Sequence, residues 1–272
     1  MNIKIIIILL SSNLLLLGCF DNRMNTNELC ASNPALRCDQ LNLDDGQCRV
    51  IRTNLIWHRK DTLESPTDNN IIKEFNLVSD YHQCLELAAQ IEPSKAGNKK
   101  EQRFKALLHS IDEEKRLLNE LSTHDSPEAL YFLWTQGQGS AMRKFLSLEG
   151  SKALETAEMQ YALATYYISR DLDKTLVLLN HALELSKEAT LNIDILEGLA
   201  SVNHKLQQKQ RAYVWVLVSK EFGVATTSET RLNVLYDFSE QQKAQFEKTA
   251  EQIIKAIKND SYNDSLISKI SK

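Results

Sequence analysis

Apolar residues recur along most of the chain at steps of three and four, the period of a helix with one buried face. Between Asn98 and Leu121 that stripe is Phe104, Leu107, Leu108, Ile111, Leu118 and Leu121, which assigns the charged run Asp112-Glu113-Glu114-Lys115-Arg116 to solvent. Ser126-Pro127-Glu128 supplies an N-cap, a first-turn proline and a first-turn acid, so a helix begins there. Gly137-Gln138-Gly139 ends it, and a short helix follows from Ser140. From Ala157 to Gly223 the pattern repeats. Ala157, Tyr161, Ala164 and Tyr167 share one face, and a turn follows at Arg170-Asp171, with Asp171 or Asp173 as cap. Leu176, Leu179, Ala182 and Leu183 point inward next; Ile195, Leu199, Val202 and Leu206 come after them, then Ala212, Trp215, Val216 and Ser219. Upstream, Asp45 to about Trp57 and Ile71 to Ile91 predict a hairpin turning near Ser65-Pro66, with Asp44-Asp45-Gly46 read as turn plus N-cap. A last helix follows the capping box Ser239…Gln242, with Phe246, Ala250, Ile253 and Ile257 on its apolar face. The Asn-Asp-Ser-rich tail beyond Asn259 is expected to be disordered.

The expected fold class is therefore all-α, built of helical hairpins. Leu163 and Leu199 hold equivalent positions 36 residues apart, and Leu178 and Trp215 hold equivalent positions 37 apart. A period in that range describes hairpins stacked as a solenoid, none able to bury its apolar face alone. Four prolines and eight glycines are too few for a turn-rich β-sandwich.

One apolar stretch has no such period. Ile5 to Leu17 is broken only by Ser11, Ser12 and Asn13 and follows Lys4. It falls short of the roughly 20 residues that span a bilayer and has the length of a signal-peptide core. Removing residues 1–18 leaves about 254 residues and moves the formal charge from −4 to about −5. That mildly acidic balance gives no general attraction to DNA or RNA, and no nucleic-acid partner is expected.

Cysteines refine the picture. Beyond Cys19 there are Cys30, Cys38, Cys48 and Cys84, an even number that reads as two disulfides in an exported chain. Cys48 and Cys84 lie at comparable distances from the Ser65-Pro66 turn, which favours Cys48–Cys84 with Cys30–Cys38 closing a short loop. The exchange to Cys30–Cys48 with Cys38–Cys84 stays open.

Three resemblances add to this reading. Leu16-Leu17-Gly18-Cys19 resembles the lipobox of bacterial lipoproteins, which implies cleavage before Cys19 and acyl chains on it. Each buried CH₂ of such chains adds about 0.8 kcal/mol of anchoring. Phe20 stands where an inner-membrane retention Asp would be, which implies the periplasmic leaflet of the outer membrane. Tyr161-Ala162-Leu163-Ala164-Thr165-Tyr166-Tyr167 with Asp173-Lys174-Thr175, and Leu199 through Ala212-Tyr213-Val214-Trp215, resemble Sel-like tetratricopeptide repeats without the turn glycines. The lipobox, Asp44-Asp45-Gly46-Gln47-Cys48-Arg49 and the stretch Ala153 to Ala164 together are similar to an uncharacterised family of Gram-negative lipoproteins, which carries no activity to transfer.

The expected organisation is a signal peptide at 1–18, a lipidated tether at 19–44, a disulfide-stapled helical region at 45–125, tetratricopeptide-like repeats with a capping helix at 126–258, and a polar tail at 259–272. Catalytic chemistry finds no anchor. His58, His82, His109, His124, His181 and His204 form no zinc motif, although stacked helices could bring His181 and His204 together. Asp44-Asp45-Gly46 lacks the alternating ligands of a calcium loop. Glu155 and Glu158, at i and i+3, read as a solvated edge rather than a glycosidase pair. No catalytic residue, metal ligand or cofactor is expected. Tyr166, Tyr167 and Tyr213 are the residues expected to line a partner-binding groove, because tyrosine offers large contact area with few rotors. The expected function is a membrane-anchored adaptor that binds an envelope protein or peptide; the alternatives are an envelope hydrolase of unrecognised type and a spacer without a client.

Overall fold

The computed structural model describes residues 25–93 and 97–270. The segment 1–18 expected to be a signal peptide, and Cys19, lie outside the described residues. Every regular element among the described residues is a helix, and no helix among them is long and apolar enough to cross a membrane. Two compact units divide between Asn119 and Glu120.

The first unit contains α1 (Thr26–Ser32), α2 (Arg49–Glu64), α3 (Asp68–Ala88) and most of α4 (Lys99–Leu121). Asn25 and Glu28 form a capping box that starts α1. The expected hairpin is α2 and α3, turning through Ser65–Thr67, but α2 starts later than expected. Its N-cap is Cys48, at a left-handed φ of 59°, rather than Asp45. Cys48–Cys84 ties that cap to α3, and Cys30–Cys38 ties α1 to the following loop. Leu29, Leu36, Leu55, Ile56, Ile71, Val78, Tyr81 and Leu85 fill the space between them.

The buried face of α4 is rotated from the expected one: Leu121 is buried and Leu107, Ile111 and Leu118 half-buried, but the rest of the stripe is not. Phe104 and Leu108 are 55% and 47% exposed, while Arg103, Ala106, Ser110, Glu113 and Leu117 are buried. Ionic partners turned the helix. Arg103 pairs with the buried Asp45 and donates to the carbonyls of Ala88 and Ile91 at 2.9 and 2.7 Å. Arg59 of α2, fully buried, donates to the carbonyl of Leu36 at 2.9 Å and reaches Glu74 at 3.3 Å and Glu113 at 3.2 Å. Arg37 and Arg116 contact the same two carboxylates from the rim. Such charges are stable in the interior only when paired and hydrogen-bonded, so the pairs outrank the apolar stripe in setting the rotation.

The second unit is a run of hairpins: α5 (Pro127–Thr135) with α6 (Gly139–Ser147), α7 (Ala157–Tyr167) with α8 (Leu172–Leu185), and α9 (Asp194–Lys205) with α10 (Lys209–Glu221). Ser126 caps α5 by accepting from the amide of Ala129 at 3.1 Å, and Asp171 caps α8. The buried face of α7 is centred on Met159, Ala162 and Leu163, with Tyr161 and Tyr167 at its flanks. Leu163, Leu178, Leu199 and Trp215 are all buried at their repeating positions. Hairpins α7–α8 and α9–α10 approach closely at Gly198, where a Cβ would lie 3.1 Å from a methyl of Leu179.

After α11 (Glu229–Tyr236), α12 (Glu240–Lys258) packs on α10 with Phe246, Ala250, Ile253 and Ile257 buried, as its pattern predicts. The tail departs from expectation. It forms a short helix, α13 (Ser265–Ser268), and buries Tyr262, Ile267 and Ile270. The Tyr262 hydroxyl donates to Asn180 at 2.7 Å, its ring meets Trp215 edge-on at 5.9 Å, and Arg211 holds the carbonyl of Ile270 at 3.1 Å. Three apolar anchors among polar residues suffice to dock the segment; composition alone hid them.

Candidate interaction surface

The first helices of the three hairpins, α5, α7 and α9, begin alike. Glu128, Glu158 and Asp194 stand in the first turn of each, where a carboxylate also suits the positive end of the helix dipole. One turn on are Tyr131, Tyr161 and Glu197, and a further turn on are Thr135, Thr165 and Ser201. From Glu128 to Glu197 these residues come near one another across the helices. Packing around Glu158, then the negative charge of Glu128, raises the Glu158 pKa. Burial raises Tyr131, which lies within hydrogen-bonding reach of Thr165 and in the field of Glu158. Burial, then the charges of Asp194 and Glu197, raise Tyr161, which also stands close to Tyr131. The result is a continuous row of acids, phenols and hydroxyls. No ion pair neutralises Glu128, Glu158, Asp194 or Glu197 among the described residues.

An apolar cavity of about 270 Å³ opens at the end of that row. Ala200, Val216, Leu232, Leu235 and Tyr236 give it its walls, and Glu197 and Ser201 lie both in the row and at its mouth. Leu235 is 48% exposed at the rim. The segment joining α10 to α11 contributes Val224 to Thr227, so the cavity exists only where α9, α10 and α11 meet.

The tyrosines singled out in the sequence fall in two places. Tyr166 and Tyr167 come together, ring centroids 5.0 Å apart, in an aromatic ladder that continues through Trp134 to Tyr131 and Phe145. Their ring faces are already used. The Arg170 guanidinium lies 4.1 Å from the Tyr166 centroid and the Lys174 ammonium 3.8 Å from that of Tyr167. The Tyr167 hydroxyl donates to Glu149 at 2.7 Å. Tyr213 lines no groove: it is 6% exposed, enclosed edge-on by Tyr236, Phe238 and Phe246. Its neighbours arrive from α11 and α12, distant in sequence, which is why spacing alone misplaced it.

The structure does not bring His181 and His204 together. His181 binds Glu155 at 2.8 Å, whereas His204 stands edge-on to Tyr236 at the apolar cavity. Glu155 and Glu158 are likewise separated in role, one paired with His181 and the other in the row beside Glu128. No group of three or more His, Cys, Asp or Glu side chains among the described residues is arranged to hold a metal ion. The row itself was not seen in the sequence, although one signal was present: Glu128-x-x-Tyr131 and Glu158-x-x-Tyr161 are the same motif at the start of two helices.

Comparison with known proteins adds one match. A family described as "Protein of unknown function (DUF2989)" matches residues 16–217. No curated protein and no solved structure matches the chain.

Proposed function

The chain belongs to that family of unknown function, and from this premise we propose that it is a lipid-anchored envelope adaptor whose helical hairpins bind a partner chain. One observation carries the reading: the first helices of three successive hairpins each carry an acid in the first turn, followed by Tyr131 and Tyr161 in the first two, and Glu158, Asp194 and Glu197 stay exposed. Repeated small contacts at equal positions suit an extended partner better than a compact substrate. We read the hairpins as Sel-like tetratricopeptide units, supported by the burial of Leu163 with Leu199 and of Leu178 with Trp215 at offsets of 36 and 37. The anchor reading rests on Leu16-Leu17-Gly18-Cys19 and places the adaptor at a membrane facing the periplasm, the outer one by the residue after Cys19. A spacer without a client would need no tyrosines in such a row.

A hydrolase reading would rest on Glu158, the one carboxylate among the described residues whose pKa is raised. It stands in an open row without a paired nucleophile, so binding accounts for it better than bond cleavage.

In-cell photocrosslinking from a probe in place of Tyr161 tests the adaptor. One or two envelope proteins, lost when Tyr131 is changed to Ala, are the expected result; a product pattern indifferent to that change sinks the reading. The anchor is tested separately with Cys19→Ser, which should leave the membrane fraction. Mature protein still sedimenting with outer membrane would overturn it.

A further inference from the structure

We infer that the row and the cavity form one binding track, and that its occupant is an extended cationic segment of a partner protein carrying one large apolar side chain. The inference rests on the adaptor reading and specifies the chemistry of its partner.

Two independent features meet at Glu197 and Ser201. The row contributes four carboxylates, Glu128, Glu158, Asp194 and Glu197, without a neutralising cation among the described residues. First-turn acids stabilise helix dipoles and need no ligand for that. That role does not require them to recur at equivalent positions of successive hairpins, with Glu158, Asp194 and Glu197 all exposed. A cationic segment lying along them would meet several carboxylates in turn. Elsewhere on this unit the chain supplies its own cations to exposed acids and rings: Lys174 to Glu149, Lys258 to Glu221, Arg170 to Tyr166. Along the row it supplies none among the described residues.

The cavity is the second feature. Its walls are mostly apolar, and its 270 Å³ accommodate one large side chain rather than a whole helix. An acidic row alone would recruit any polycation; the adjoining cavity adds a register. Neighbouring helices pack about 8–10 Å apart and an extended chain rises about 3.3 Å per residue. An extended partner therefore meets a new helix about every third residue, which places lysine or arginine at that spacing, followed by the apolar anchor. Tyr131 and Tyr161 lie along the path as contact surface.

The probe is a synthetic labelled peptide with lysines at every third position and one terminal phenylalanine, titrated by fluorescence anisotropy against the mature protein in mild detergent. Companion peptides replace Phe by Ala, or the lysines by Glu. Binding should weaken steeply with salt, by about twofold to fivefold for each of Glu158→Gln and Glu197→Gln, and by roughly tenfold when Phe becomes Ala. The glutamate peptide should not bind. Ala200→Leu, which fills the cavity, should erase the difference between the Phe and Ala peptides while the lysine dependence remains. Because Ala200→Leu also changes packing at the cavity wall, its melting curve is compared with the parent; the peptide substitutions decide the matter without it.

Equal binding of lysine and glutamate peptides, or indifference to Glu158→Gln and Glu197→Gln, overturns the cationic assignment. Indifference to Phe→Ala overturns the anchor. If crosslinking in cells captures a Tyr131-dependent partner that has no basic segment, the adaptor stands and this inference falls. If the peptide binds as described but no cellular partner is captured, the adaptor reading falls and the track remains a binding site.

Discussion

The two units hold themselves together by different means. The first has two disulfides, and its interior contains Arg52, Arg59, Glu74, Arg103 and Glu113 beside its leucines, while Phe104, Leu108, Val50 and Leu87 are exposed. The second has no disulfide among its described residues and closes around Leu163, Leu179, Leu199, Val214, Trp215 and Phe145, with aromatic rings meeting edge-on. Hydrophobic burial is non-directional and tolerates repetition, so it suits stacked hairpins. Buried ion pairs are directional: they define one arrangement and penalise others, at little net gain in stability. A covalently stapled unit can therefore hold a costly polar interior, whereas the second unit relies on packing and keeps its charges outside.

That contrast predicts where each unit breaks. Arg59→Ala would leave Glu74 and Glu113 buried without their central cation, and should cost the first unit about 3–5 kcal/mol. Denaturant unfolding followed at Trp57 should report the loss, with little change at Trp215 of the second unit; a change of under about 1 kcal/mol would mean the network is not structural.

Replacing Cys48 and Cys84 by Ser should cost the first unit about 2–4 kcal/mol by releasing the hairpin. The same change should leave the melting of the second unit unaltered. If both units melt earlier together, they are one cooperative system and the contrast is wrong.

Acid should separate them next. Burial opposes the charge on Glu113, but the hydrogen bond from Arg116 and the charges of Arg37 and Arg59 outweigh it, so its pKa lies below the ordinary 4.5. The hydrogen bond from Arg103 holds Asp45 below 3.8. Groups with lowered folded pKa contribute stability above their unfolded values and lose it as pH falls through the folded ones. The first unit should therefore weaken as pH drops below about 4.5, and circular dichroism during acid titration should see it unfold before the second. Simultaneous loss would refute this.

His181 gives the smallest effect, with the opposite sign. Its hydrogen bond to Glu155 raises its pKa, so its contribution is complete below about 6.5 and lost as pH rises through the folded value. Side-chain exposure of 37% limits it to a few tenths of a kcal/mol. His181→Gln should remove a slight stabilisation at pH 6 that is absent at pH 8.5; equal effects at both would assign the residue a packing role instead.

Local signals in the sequence determined much of this molecule. The caps at Ser126 and Ser239, the hairpin turning at Ser65 and the apolar faces of α9 and α12 follow from short-range rules about orphan amides and helical period, whereas the choice between Asp171 and Asp173 as cap and between the two cysteine pairings was decided by the fold. Four further features did not follow, each for the same physical reason: the partner comes from another element. Arg59 and Glu113 are 54 residues apart, and their pairing turned α4 away from its apolar stripe. Tyr213 is enclosed by rings from α11 and α12. Tyr262 docks on Asn180, 82 residues earlier, and orders a tail that composition described as polar. Glu128, Tyr131, Glu158, Tyr161, Asp194 and Glu197 are ordinary surface residues one helix at a time. Periodicity tells which way a helix turns only where apolar burial outweighs every other interaction that helix makes, and it says nothing about which helix stands opposite; the tertiary structure decided both.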